Sequence, residues 1–113
     1  MVLQFVETTI FTKRWNELRL TESDLLELQM RLMENPIAGD LIVGTGGARK
    51  VRFALQHKGK SGGARIIYVD ILHDKQIHLL LCYTKAERET LTDDQKKQLK
   101  TVIKAIKEAG RHG

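Results

Sequence analysis

The spacing of apolar residues changes twice along this chain, and the two changes limit what it can fold into more than any single residue does. After a short VLQFV segment, apolar side chains up to residue 37 recur at the three-to-four spacing of a helix. Between 49 and 83 they alternate or run continuously, as strands do, and beyond residue 92 the helical spacing returns. The glycine-rich stretch AGDLIVGTGGA at 38–48 separates the first two regimes and reads as a loop, with Gly46-Gly47 as a tight turn.

VLQFV is a short strand, and Thr8 or Thr9 caps a helix whose apolar positions are Ile10, Phe11, Trp15 and Leu18. A second helix opens on the capping-box pair Thr21 and Asp24, carries Leu25, Leu28, Leu32 and Met33, and stops at Asn35-Pro36. In 49–55, Val51, Phe53 and Leu55 fall on one face while Lys50 and Arg52 fall on the other. The polar turn HKGKSGGA follows, then ARIIYVDIL, the turn His73-Asp74-Lys75 and QIHLLLCY, so that the three strands form an antiparallel meander. The last helix opens on a Thr92–Gln95 capping box, buries Leu99, Val102, Ile103 and Ile106, and lines an outward side with Lys96, Lys100, Lys104 and Lys107. The expected fold is α+β: a small, mostly antiparallel sheet with an N-terminal helical hairpin on one side and a C-terminal helix.

A length of 113 residues suits one domain over 1–113 and one core, and leaves no room for a second catalytic domain. The longest apolar run is the five residues 79–83, and the opening residues lack a basic and then apolar leader, so no membrane span or secretory segment is expected. A single cysteine, Cys82, rules out an internal disulfide, and no Cys/His spacing resembles a zinc site. These features describe a cytoplasmic protein that works without metal or cofactor.

Charge is divided unevenly. Residues 1–48 hold four basic and seven acidic side chains, whereas 49–113 hold fifteen and seven. Between 49 and 65 there are six cations, Arg49, Lys50, Arg52, Lys58, Lys60 and Arg65, and no acid. Such a window is the footprint of a surface that meets phosphates, or else a solubilising face. Side chains two apart on a strand lie about 7 Å apart, near the spacing of successive phosphates, so Lys50 and Arg52 can hold one nucleic-acid backbone. Arg65 begins the neighbouring strand, and Lys85 and Arg88 follow the last one. A ring of cations of this kind suits RNA cleavage by its own 2′-hydroxyl, which needs a phosphate clamp and proton transfer but no metal. Arginine clamps bidentately, and a lysine crowded by other cations can move a proton, which makes Lys50 and Lys85 the candidates. The same surface can also bind nucleic acid without cutting it.

His57 in the basic turn is a further acid-base candidate, while His78 reads as a hydrogen-bonded core or edge residue. Cys82 reads as a buried small hydrophobe, and Trp15 as filling between the first helix and the sheet. Tyr68 is expected in the core, and Tyr83, near a strand end, is expected to reach the surface and stack on a base. The C-terminal lysine stripe reads as a solvated face.

The joint pattern GDLIVGTGGARKVR at 39–52 with GGARIIY at 62–68 resembles the RelE/ParE superfamily of bacterial toxins, in particular its HigB-type branch. The resemblance runs from the first strand through LLLCYTKAE to the last helix. It implies the RelE-like fold, ribosome-dependent cleavage of messenger RNA in the decoding site, and a cognate antitoxin, of helix-turn-helix type and encoded beside the toxin. The partners it implies are that antitoxin and the bacterial ribosome with its messenger and ribosomal RNA, the free toxin being a monomer. Lys50 and Arg52 match the family's basic strand, Arg65 its scissile-phosphate arginine, and Lys85 its basic residue after the last strand. Arg49, His57, Lys58, Lys60, Tyr83 and Arg88 are then expected to contact RNA. Two positions depart from the pattern: Ala86 stands where RelE toxins carry an arginine, which Arg88 replaces in part, and Thr92 where they carry a tyrosine. A ParE-like toxin acting on DNA gyrase is the alternative within the superfamily.

Overall fold

The computed structural model describes residues 2–54, 63–87 and 90–112. Leu55, His57, Lys58, Lys60 and Arg88 therefore lie outside the described residues. Helix α1 (Thr9–Glu17) is capped by the Thr8 hydroxyl, which accepts from the Phe11 amide. Helix α2 (Glu22–Glu34) opens on the expected capping box, with Thr21 and Asp24 each bonding the other's backbone amide, and ends at Asn35. The residue before Pro36 is thus extended, as proline requires of its predecessor.

Strands β1 (Gln4–Glu7), β2 (Asp40–Leu41), β3 (Arg49–Phe53), β4 (Ala64–Ile71) and β5 (Gln76–Thr84) form one sheet in the order β1-β5-β4-β3-β2. The meander β3-β4-β5 is antiparallel, as its spacing predicts, and β1 joins β5 in parallel. One expectation is corrected: 38–48 is not loop throughout, because Asp40 and Leu41 pair with Lys50 and Arg49 and add an edge strand. The turn that follows is held by Thr45, whose hydroxyl donates to the Ile42 carbonyl and accepts from the Ala48 amide. Gly46 and Gly47 both have positive φ there, a conformation that side chains resist.

Two cores flank the sheet. Phe11, Trp15, Leu28 and Leu32 of the hairpin pack on Val51, Phe53, Ile66, Tyr68, Leu79 and Cys82. On the other face, Leu99 and Ile103 of α3 (Asp93–His112) pack on Ile67, Val69, Ile71, Leu80 and Tyr83. Burying each large aliphatic side chain here contributes about 1.5–3 kcal/mol, so the continuous apolar runs of β4 and β5 are explained by helices on both sides. Trp15 stacks between Phe11 and Phe53, the junction expected of it. The helical stripes are narrower than the spacing predicts, since Ile10, Met33 and Val102 are 55%, 39% and 41% exposed.

A register shift between Ile67 and Tyr68 leaves Leu80 as an extra residue on β5, because Ile67 pairs with Leu81 and Tyr68 with Leu79. Beyond that bulge every β5 side chain changes face. Cys82 thereby turns to the hairpin and Tyr83 to α3, in line with Arg65.

Candidate nucleic-acid interface

Residues opposite one another in an antiparallel ladder share a face, so the register places the basic side chains directly. Arg52 stands opposite Arg65, and Arg65 opposite Tyr83, in one row across β3, β4 and β5. Lys50, two positions along β3, stands opposite Ile67. Since Ile67 and Tyr83 belong to the α3-side core, Lys50, Arg52 and Arg65 all lie on the face that α3 shares. Arg52 is exposed, Lys50 partly so, and Arg65 is 6% exposed. On its other side Lys50 faces Asp40 of β2. The end of β3 is anchored from behind by Arg31 of α2, whose Nη1 donates to the Arg52 carbonyl at 2.8 Å.

Arg49 does not join this group. Its partner in the ladder is Tyr68, on the hairpin side, and its guanidinium donates to the Asp70 carboxylate at 3.0 Å and the Gly39 carbonyl at 2.9 Å. The Tyr68 hydroxyl completes the cluster, accepting from the Gly39 amide and donating to the Pro36 carbonyl. Arg49 therefore ties the β2 edge to the sheet. Tyr83 is corrected too: it is 2% exposed in the α3-side core, and no base can stack on its ring.

Lys85 is the first residue after β5, beside the pair Ala64–Thr84 that follows Arg65–Tyr83. Its turn is closed by Glu87, whose carboxylate accepts from the Thr84 amide and hydroxyl and from Arg14 of α1. The amide of Thr84 above all, with Arg14, holds the Glu87 carboxyl below the usual glutamate range against a smaller opposing effect of burial. Lys85 is thus exposed on a turn bound to α1 and β5. Ala86 is exposed in that turn, and the Thr92 hydroxyl is engaged in capping α3, where it accepts from the Gln95 amide.

Sequence reasoning missed one part of the surface. Lys100, Lys104 and Lys107 of α3 line a cavity of about 290 Å3 with Gly46, Ile103 and Glu108, and Lys107 Nζ donates to the Gly46 carbonyl at 3.0 Å. The lysine side of α3 therefore faces the glycine turn that leads into β3, while its Gln95, Gln98 and Val102 side faces Thr8, Ile10 and Leu80. The i, i+4 lysine spacing is visible in the sequence, but the flank it occupies depends on how α3 lies across the sheet.

Other titratable groups lie apart. His78 pairs with Val69, five residues or roughly 16 Å along β5 from Tyr83, and burial depresses its basicity. Cys82 is fully buried, and burial pushes its thiol up to about 12. Iodoacetamide at about pH 8 is expected to leave it unmodified in the native protein and to alkylate it fully in denaturant, by intact mass; rapid native alkylation would contradict its place in the core. Among the described residues no three His, Cys, Asp or Glu side chains gather as a metal site, and no helix is long and apolar enough to cross a membrane.

What the arrangement offers is a row of cations with lysines at its borders, suited to one or more phosphates. Residues 4–112 match the sequence model of a family described as "RelE toxin of RelE / RelB toxin-antitoxin system".

Proposed function

Because the chain belongs to the RelE toxin family of toxin-antitoxin systems, we propose that it is a ribonuclease that cuts messenger RNA in the decoding site of the bacterial ribosome and so arrests translation. The carrying observation is the Arg52–Arg65 pair on adjacent strands with Lys50 on the same face. Like charges directly opposite one another are unfavourable in a sheet, and a phosphate between them reverses the sign of that interaction.

In this reading Arg52 and Arg65 hold the scissile phosphate. The 2′ oxygen attacks phosphorus, its proton leaves to a base, and the P–O5′ bond breaks as the 5′ oxygen takes a proton, giving a 2′,3′-cyclic phosphate and a 5′ hydroxyl. Lys50 of β3 and Lys85, just after β5, are the groups assigned to the proton transfers, with His57 as a further candidate from outside the described residues. Lys100, Lys104 and Lys107 extend the cationic surface for ribosomal RNA, and Lys58, Lys60 and Arg88, outside the described residues, are further candidates for RNA contact. The toxin acts in the cytoplasm as a monomer of the HigB-type branch, and an adjacently encoded antitoxin of helix-turn-helix type neutralises it.

A cell-free bacterial translation reaction with a defined message tests this reading. Primer extension is expected to show new 5′ ends only in ribosome-bound message, with gyrase supercoiling unaffected. Intact messages with inhibited supercoiling would replace it by the gyrase reading, and RNA binding without arrest by a non-catalytic one.

A further inference from the structure

A line of exposed apolar side chains runs along α2 on the side turned away from the sheet. Leu26, Met30 and Met33 are 56%, 55% and 39% exposed, and Ile37, just beyond the helix, is 54% exposed, while Leu28 and Leu32 are fully buried. Steps of four and three residues keep the three helical positions in one line. Single exposed apolar residues are ordinary, but a line at this spacing is the seam geometry of one helix against another.

The charges beside the seam have one sign. Glu27 and Glu34 border one side and Glu22 the other, and all three are exposed. Arg31, the one cation in the helix sequence, is instead directed to the Arg52 carbonyl. Residues at such flanking positions select partners by charge. Two copies of this chain joined through their seams would set glutamates against glutamates, whereas a helix bordered by lysine or arginine meets opposite charge along its length.

We infer that this face of α2 docks an amphipathic helix of the antitoxin, with an apolar seam and a basic border. The identity of that partner rests on the toxin-antitoxin reading. The α2 face lies on the opposite side of the sheet from Lys50, Arg52 and Arg65, so the grip and the blocking of the cationic face are separable: an acidic segment that neutralises those cations must pass around a sheet edge.

The test titrates the full chain into two labelled helical peptides of about twenty residues, each with leucine at heptad a and d positions, one bordered by lysine and its twin by glutamate. Fluorescence anisotropy is expected to show saturable binding of the lysine-bordered peptide. Met30→Glu should weaken it at least about tenfold, and Glu27→Lys with Glu34→Lys should transfer the preference to the glutamate-bordered twin. No saturable binding of the lysine-bordered peptide, or equal binding by M30E, overturns the inference. A dimer by sedimentation that M30E dissolves overturns it in favour of a second copy. Message cleavage by M30E is measured alongside and expected unchanged. Peptide binding by a chain that cuts no message would leave the docking surface standing and remove the ribonuclease reading, whereas normal cutting without peptide binding would do the reverse.

Discussion

Replacing Arg65 by alanine is expected to lower message cleavage by roughly a hundredfold to a thousandfold, the effect of removing one well-placed donor from a transition-state anion. Three features make this the most sensitive position. Arg65 lies between Arg52 and Tyr83 in the middle of the row. Arg65 is 6% exposed, and a buried side chain has fewer rotamers open to it before RNA arrives. Its planar fork also matches phosphate bidentately, so Arg65→Lys should restore only a minor part of the rate. Stability should also fall, by about 1–3 kcal/mol, because Arg65 is 6% exposed and is engaged within the fold, so its truncation removes packing and an interaction. Single-turnover cleavage on programmed ribosomes and thermal unfolding followed by circular dichroism separate the two effects. Cutting at the wild-type rate by a folded R65A protein would remove Arg65 from the site.

The sequence displayed the helices and strands because each carries its own signal. Thr21 with Asp24 starts α2 and Pro36 ends it, Thr92 with Gln95 starts α3, and Val51 and Phe53 alternate with Lys50 and Arg52. Arg52 and Arg65 were legible as neighbours too, because a hairpin connection leaves few registers for the strands it joins. What stayed hidden depends on contacts between distant segments. LLLCY is apolar at every position, so nothing in it marks Leu80 as the bulge that turns Tyr83 toward α3. Arg49 sits in the same basic run as Lys50, yet alternation sends it to the other face, and the acid that holds it, Asp70, is twenty-one residues away. Exposure of Met33 and Val102 likewise reflects the width of surface each helix finds on the sheet, which helical spacing alone overestimates.

Gly63→Ala should cause the largest loss of stability among single-atom additions near the site. Gly63 enters β4 with φ of +70°, and an added Cβ would lie 2.2 Å from the Phe53 carbonyl oxygen and 2.9 Å from the Ala54 Cα. A side chain at positive φ costs about 1 kcal/mol on its own. The collision adds to that cost because the atoms it meets are backbone. Phe53 is paired with Ala64, so the chain can make room only by opening the end of the β3–β4 ladder. Together these predict a loss of about 3 kcal/mol or more, a large share of the 5–15 kcal/mol typical of a folded domain. Gly44→Ala is the matched comparison, since its φ is +88° but its added Cβ meets nothing within 4 Å. Urea unfolding should show the Gly44 variant losing about 1 kcal/mol and the Gly63 variant about 3 kcal/mol or more, with an unchanged slope. Equal losses would mean that the backbone relaxes around the new methyl and that no collision exists. Because the opened pair adjoins Arg52 and Arg65, the Gly63 variant should also cut message more slowly at temperatures where it remains folded, while the Gly44 variant should not.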